Sequence, residues 1–277
     1  MDERLLTIQD ISCVGQCSLT VALPVISSCG IETAVLPSSV LSNHTAFSSW
    51  TFCDLTGQIL EILDEWKKQH IDFSAFYTGY VSAEQIPLIK QIIAQTARKG
   101  SRVFVDPVMA DNGKMYAGFA SDFPEKMREL CRVADYVLPN ITEACFLLEE
   151  SYPGDTCDEA FVERVCKGLL QLGAKCAVLT GVSFRADELG VALLSEGSSR
   201  VEYYFAPRLP VQMHGTGDVF ASVFAGAILR GKSALDAARL AADVVIESIK
   251  ATLDDKESHW YGVKFEKAIP YLVNHLS

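Results

Sequence analysis

The 277-residue sequence predicts an α/β protein with a mainly parallel central sheet and helices on both faces. Short β-rich runs alternate with amphipathic windows of helical spacing along most of the chain, and no internal repeat or low-complexity linker interrupts them. A content of 49% apolar and 21% charged residues is that of an ordinary globular chain, and the length suits one large domain over residues 1–277.

Strands are expected at 5–8 and 33–36, where β-branched and apolar residues cluster, followed by a helix over 56–69 with apolar residues at helical spacing. A strand at 73–77 leads to a helix over 82–98, with Gly100 where a helix-stopping glycine belongs, and then a strand at 102–105. The alternation continues through a helix at 123–133, a strand at 136–138, and helices at 141–149 and 158–172, the last closed by Gly173. A strand at 177–180 precedes two runs, 191–194 and 201–205, joined through Glu196, Gly197 and Ser198 as an edge hairpin. Helices over 219–229, 234–253 and 263–276 complete the chain. Strand and helix in alternation imply crossover connections and a parallel sheet, whose ligands bind beyond the carboxyl ends of the strands.

The net charge of −11 argues against a nucleic-acid partner, which calls for a basic face, so anionic ligands must be held locally. No apolar stretch approaches a membrane span, and Asp2, Glu3 and Arg4 ahead of a short apolar run do not resemble a secretory leader. Nine cysteines without a CxxC pair or a His-flanked cluster suit reduced thiols in the cytoplasm. The sequons at Asn43 and Asn140 then carry no glycosylation meaning.

The segment His214, Gly215, Thr216, Gly217, Asp218 runs directly into an apolar helical window, which sets two glycines and their amides at a helix start. Free N–H groups and the positive end of the helix dipole can stabilise charge that develops on a transferring phosphoryl group. Asp218, in the first turn, can accept the proton of an attacking hydroxyl; Gly and Asp are also common at helix starts for structural reasons. A second pattern, Gly226 to Ser233, satisfies GxxxxGK[ST], but Ala227, Ile228, Leu229 and Arg230 continue an apolar helix where a P-loop needs a flexible turn after a strand. Gly231 reads instead as a helix stop, and Ser233 with Asp236 as the next cap.

The helix-start tetrapeptide, the strand end Asp106, Pro107, Val108, Met109, and the turn Leu138, Pro139, Asn140 followed by Glu143 together resemble the ribokinase superfamily. Ser42, Asn43, His44 and Thr45, with Trp50 downstream and with Thr78, Gly79 and Tyr80, resemble its pyridoxal kinase branch. The resemblance implies a ribokinase-like three-layer fold and ATP-dependent phosphorylation of the 5′-hydroxymethyl group of pyridoxal, pyridoxamine or pyridoxine. It makes Asp218 the base and the amides of Gly215, Thr216 and Gly217 the anion hole, with Thr45 and Tyr80 lining the vitamer pocket. Asp106 and Asp111 would lie near the triphosphate and its metals, with Asn140 close by and Glu143 organising Mg²⁺ through water. Asp106 is also the candidate beside a monovalent cation such as K⁺, and Thr180 and Gly181, with Gly217, would contact nucleotide. Residues 111–116 fall where the family carries a mobile loop over ATP, and similar kinases are often homodimers. Each residue also has a bland structural alternative: Asp106 can end a strand, Thr45 can cap a turn, Asn140 with Glu143 suits a helix start, and His44 and His214 suit packing roles.

One residue departs from the branch, which commonly carries serine after Ile-Gln where this chain has Asp10. Either Asp10 ends the first strand, with Ser12 supplying a hydroxyl, or its carboxylate pairs with a cationic group of the substrate. The nearest rival is hydroxymethylpyrimidine kinase, whose usual GGAG stretch corresponds to Gly15, Gln16, Cys17 and Ser18 here. A sugar kinase would need a β lid for which the span 10–37 is too short, and a silent vitamer or nucleotide sensor would have no need of the base.

Overall fold

The computed structural model describes residues 3–276, so Asp2 of the expected N-terminal segment lies outside the described residues. In chain order the elements are β1 (Arg4–Ser12), α1 (Leu19–Ser28), β2 (Glu32–Leu41), β3 (Phe52–Asp54), α2 (Thr56–Lys68), β4 (Phe73–Thr78), α3 (Gln85–Thr96) and β5 (Ala97–Val105). Next come β6 (Ala110–Asp111), β7 (Lys114–Met115), α4 (Phe123–Cys131), β8 (Tyr136–Val137), α5 (Ile141–Leu148), α6 (Glu159–Gln171), β9 (Cys176–Val182), β10 (Glu188–Ser195) and β11 (Glu202–Pro207). The chain closes with α7 (Thr216–Leu229), α8 (Ala234–Leu253), a 3-10 turn at Phe265–Lys267 and α9 (Ile269–His275). These form two compact units, one comprising the chain up to Ser101 and from Pro210, the other Arg102–Leu209.

In the first unit β1 pairs in parallel with both β2 and β4, which explains its nearly unbroken burial: Leu5, Leu6 and Ile8 are fully buried, as a strand covered on both faces requires. Its register with β2 slips between Gln9, opposite Pro37, and Ile11, opposite Val40, so β2 carries one extra residue where Asp10 sits. The three-residue β3 adds antiparallel to β2. Helix α7 is buried from Val219 through Leu229, and Gly226 is where α1 comes closest: a Cβ there would lie 2.5 Å from the Cys29 sulfur.

In the second unit the end of β5 pairs in parallel with β8, and β8 with β9; β10 and β11 follow antiparallel, as the expected edge hairpin. The mixed, mainly parallel α/β architecture is therefore the expected one. Three boundaries differ. Helix α3 stops at Thr96, whose hydroxyl bonds back to the Ile92 carbonyl, and the chain turns extended at Ala97, so Gly100 falls inside β5 with a positive φ instead of closing a helix. The last expected helix is split between the 3-10 turn and α9, which restarts at Pro270, a residue suited to a first turn because it lacks the N–H that would go unpaired there. Helix α1 has no expected counterpart, because Pro24 lies within its apolar run.

Candidate active site

The P-loop-like pattern is excluded by its setting. Gly226 to Leu229 lie inside α7, Gly231 stops it with φ 90°, and the Ser233 hydroxyl accepts from the Asp236 amide at 3.2 Å as the cap of α8. Gly215 to Asp218, by contrast, form an open helix start. Gly215 is the N-cap of α7 with φ 81°, and a Cβ on it would stand 1.8 Å from the Gln16 carbonyl oxygen, so glycine is required twice over, by backbone and by space. A Cβ on Gly217 would meet nothing within 4 Å, so the helix start faces free volume. Thr216 turns its hydroxyl to the Met213 carbonyl, which leaves its amide to act.

Backbone-to-backbone packing of three loops builds this corner. The loop from Gly15 to Ser18 lies against the Gly215 turn, and Gly262 packs so closely that a Cβ would fall 2.3 Å from that of Gln16. Hydrogen bonds from the Gln16 amide to the Tyr261 carbonyl and from the Val263 amide to the His214 carbonyl tie the same loops together. Gly15 fits under the His44 ring.

Asp218 is part-buried, and desolvation pushes its carboxyl up to about 7; the Ser18 amide opposes the shift, while the negative charge of Asp10 adds to it. Asp10 is 5% exposed, and its Oδ2 accepts from the Ser12 hydroxyl at 2.9 Å. Burial raises Asp10 as well, against hydrogen bonds from the Ser18 and Ser12 side chains. It does not end β1, which continues to Ser12. Cys17 sits beside both carboxylates and is driven to about 12, first by burial and then by their charges, so it stays a thiol. Tyr80 is part-buried after β4 and is raised by burial and by Asp10, while its carbonyl accepts from the Ser38 hydroxyl.

The Ser42 to Thr45 motif proves partly architectural. Ser42 accepts from the Thr51 amide and Asn43 donates to the Ser49 carbonyl, which closes the loop from both ends. His44 Nδ1 accepts from the Ala46 amide, so Nε2 carries the proton and donates to the Tyr261 carbonyl at 2.9 Å. Thr45 is exposed. His214, lowered by burial, lies 5.1 Å from the His44 ring, and Trp260, 59% exposed, completes the cluster with Phe47.

Of the expected nucleotide and metal residues, all but Gly217 lie in the second unit. Asp106, 8% exposed, follows β5. Asn140 and Glu143 form a reciprocal capping box on α5: the Asn140 side chain accepts from the Glu143 amide, and Glu143 Oε2 accepts from the Asn140 amide at 2.9 Å. Glu143 Oε1 accepts from the Met109 amide, and burial pushes this carboxyl to about 8, with Asp111 adding its charge. Residues 111–116 are a tight hairpin of β6 and β7 whose Asn112 and Gly113 both have positive φ; Gly113 donates to the Thr142 hydroxyl, so the Asn-Gly chemistry makes an anchored turn. Thr180 bonds to the Pro139 carbonyl beside Asn140, and Gly181, φ 76°, is the bulge where β9 slips against β10. Among the described residues no group of three His, Cys, Asp or Glu side chains forms a metal cage.

Residues 53–261 match the family model of phosphomethylpyrimidine kinases. The chain belongs to this family. A Bacteroides thetaiotaomicron protein assigned to the phosphomethylpyrimidine kinases and solved with pyridoxal is 32% identical over 98% of this chain and 96% of that one, with a TM-score of 0.93. The pyridoxal kinase of Lactobacillus plantarum is also 32% identical over 98% of this chain and 97% of its own, with a TM-score of 0.89. Among curated relatives, the pyridoxal kinase of Dictyostelium discoideum is 24% identical, covering 99% of this chain and 97% of itself. Within the family the kinase falls on the pyridoxal kinase branch and has the ribokinase-like fold.

Sequence reasoning missed Ser18, Cys17, Phe47 and Trp260. The stretch Gly15 to Ser18 did stand out as the place where a glycine-rich segment is replaced; nothing local marks Trp260, which reaches the site through a loop after α8.

Proposed function

We propose that this kinase transfers the γ-phosphoryl group of ATP to the 5′-hydroxymethyl group of a B6 vitamer. The observation that carries the reading is Asp218, a carboxylate with a proton affinity near neutrality in the first turn of an open helix start. Ionised, Asp218 takes the proton of the acceptor hydroxyl, while the amides of Gly215, Thr216 and Gly217 hold the negative charge that builds on the phosphoryl oxygens. Asp10, Ser12, Thr45 and Tyr80 bind the vitamer, and Asp106, Asn140, Thr180, Gly181 and Gly217 bind the nucleotide. Single-domain organisation over residues 1–277 is part of the proposal.

The carboxylates of Asp111 and Glu143 fit Mg²⁺ of the kind that keeps most of its ligands as phosphate oxygens and water, because both Glu143 oxygens already accept backbone N–H bonds and Asp111 is exposed. Bound there, Mg²⁺ would neutralise phosphate charge. Asp106 is the proposed neighbour of a monovalent cation such as K⁺. A homodimer in the cytoplasm completes the proposal; nine free thiols suit a reducing compartment, and among the described residues no helix is long and apolar enough to cross a membrane.

The family model's description as phosphomethylpyrimidine kinases, and a Streptomyces coelicolor relative named hydroxymethylpyrimidine/phosphomethylpyrimidine kinase, support a second reading, phosphorylation of hydroxymethylpyrimidine. ADP release from MgATP with pyridoxal, pyridoxamine, pyridoxine and hydroxymethylpyrimidine in parallel tests both: turnover of the vitamers is expected, and turnover of the pyrimidine alone would reverse the assignment.

A further inference from the structure

Asp10 poses an electrostatic problem that the transfer reaction does not solve. Its carboxylate is 95% buried, its hydrogen-bond partner is the uncharged hydroxyl of Ser12, and the Ser18 hydroxyl also favours its charged form. Among the described residues no Lys or Arg pairs with it. His44 acts on it more weakly than the two hydroxyls, and both of its ring nitrogens are taken up by backbone, Nδ1 by the Ala46 amide and Nε2 by the Tyr261 carbonyl. The other charge that acts there is the carboxylate of Asp218, which repels. A buried charge normally has a counter-charge, since desolvation otherwise disfavours it strongly.

The loop is nevertheless built to keep Asp10 where it is. Ser18 is the N-cap residue of α1, yet its hydroxyl makes no capping bond and instead favours the charged form of Asp10. Its amide favours the charged form of Asp218, so this one residue acts on both carboxylates. It adopts φ 51° and ψ −133°, a strained conformation for serine that favours glycine. Side chains held by strained, donor-rich surroundings without a counter-ion belong to sites completed by a ligand.

We propose that Asp10 is the receptor for a positive charge carried by the acceptor, positioned by Ser12 and Ser18. The inference rests on the vitamer-kinase reading and narrows it: the preferred acceptors are cationic heteroaromatic alcohols, whose charge lies on a protonated ring nitrogen or on an aminomethyl substituent. Both sources present the same N–H⁺ donor to the carboxylate.

The test is equilibrium binding of pyridoxamine and pyridoxine without ATP by calorimetry, with parallel steady-state kinetics, for wild type, Asp10→Asn and Ser18→Gly. Asp10→Asn should weaken pyridoxamine binding by about tenfold or more, the worth of a charge-assisted hydrogen bond, and the loss should fall on KM more than on kcat. Ser18→Gly keeps the amide and relieves the backbone, so it should fold at least as stably while it weakens binding in the same direction by a smaller factor. Equal weakening for both ligands assigns the charge to the ring nitrogen; weakening for pyridoxamine alone assigns it to the aminomethyl group. Binding of both ligands by folded Asp10→Asn within about twofold of wild type would overturn the proposal, as would a wild type that binds neither. Wild type that binds both and phosphorylates neither would contradict the transfer reading and leave the role of Asp10 intact.

Discussion

At the scale of single residues the proposed reaction rests on Asp218, whose protonation would set a pH window. The base works only when ionised, and burial raises its carboxyl to about 7, so kcat/KM should climb with pH through that value and level off above it. Asp218→Asn should cost about 10²- to 10⁴-fold in kcat at pH 8, the range that general-base catalysis contributes. A variant with wild-type kcat and the same pH profile would exclude this residue as the base. Asp218 was legible from the sequence because Gly-x-Gly-Asp before an apolar helix is a local pattern. Ser18 and Trp260 were not, since their roles arise from loops far apart in the chain that meet only through the close approaches of Gly15, Gly215 and Gly262.

At the scale of elements, two loops and a helix start decide the geometry. Gly215→Ala would drive a Cβ against the Gln16 carbonyl and force alanine into a positive φ, so the Gly15 to Ser18 loop must move. The expected result is a fall in both Tm and kcat, measured by thermal unfolding and ADP release; a variant as active and as stable as wild type would show that the turn is not constrained. The pattern from Gly226 to Ser233 makes the opposite prediction. Ser233→Ala removes the α8 cap and should cost about 1 kcal/mol of stability, and Lys232→Ala should leave kcat within about twofold, whereas a P-loop lysine would be essential. Helical stops were readable where glycine or a capping side chain supplies them, as at Gly173, Gly231 and Ser233. They were not readable at Thr96, where the chain passes straight from α3 into β5, nor in α1, where burial of Val21, Ala22, Val25 and Ile26 overrides Pro24.

For the whole molecule, the alternation of strand and helix made the α/β class evident, because parallel strands buried on both faces leave continuous apolar runs such as Leu5, Leu6 and Ile8. The same burial encloses carboxylates, and this fixes the sign of a pH effect on stability. Asp10 and Asp218 both have folded-state proton affinities above their ordinary value of 3.8, so the folded protein binds more protons than the unfolded chain between about pH 4 and 7. Their contribution is complete below the ordinary carboxylate range and is lost as pH rises through the folded-state values. Ligand-free protein should therefore lose thermal stability from pH 5.5 to 8, and the double variant Asp10→Asn, Asp218→Asn should show a shallower slope; an unchanged slope would mean that these two groups are not the source.

The account stands or falls on which atom receives the phosphoryl group. Wild type and Asp218→Asn incubated with MgATP and pyridoxamine, pyridoxal or pyridoxine, with products assigned by phosphorus NMR, give that answer directly. The account predicts a 5′-phosphate monoester from wild type and at most about a hundredth of that rate from the variant. Formation of the ester at equal rates by both proteins, or phosphorylation of hydroxymethylpyrimidine with no vitamer product, would contradict it.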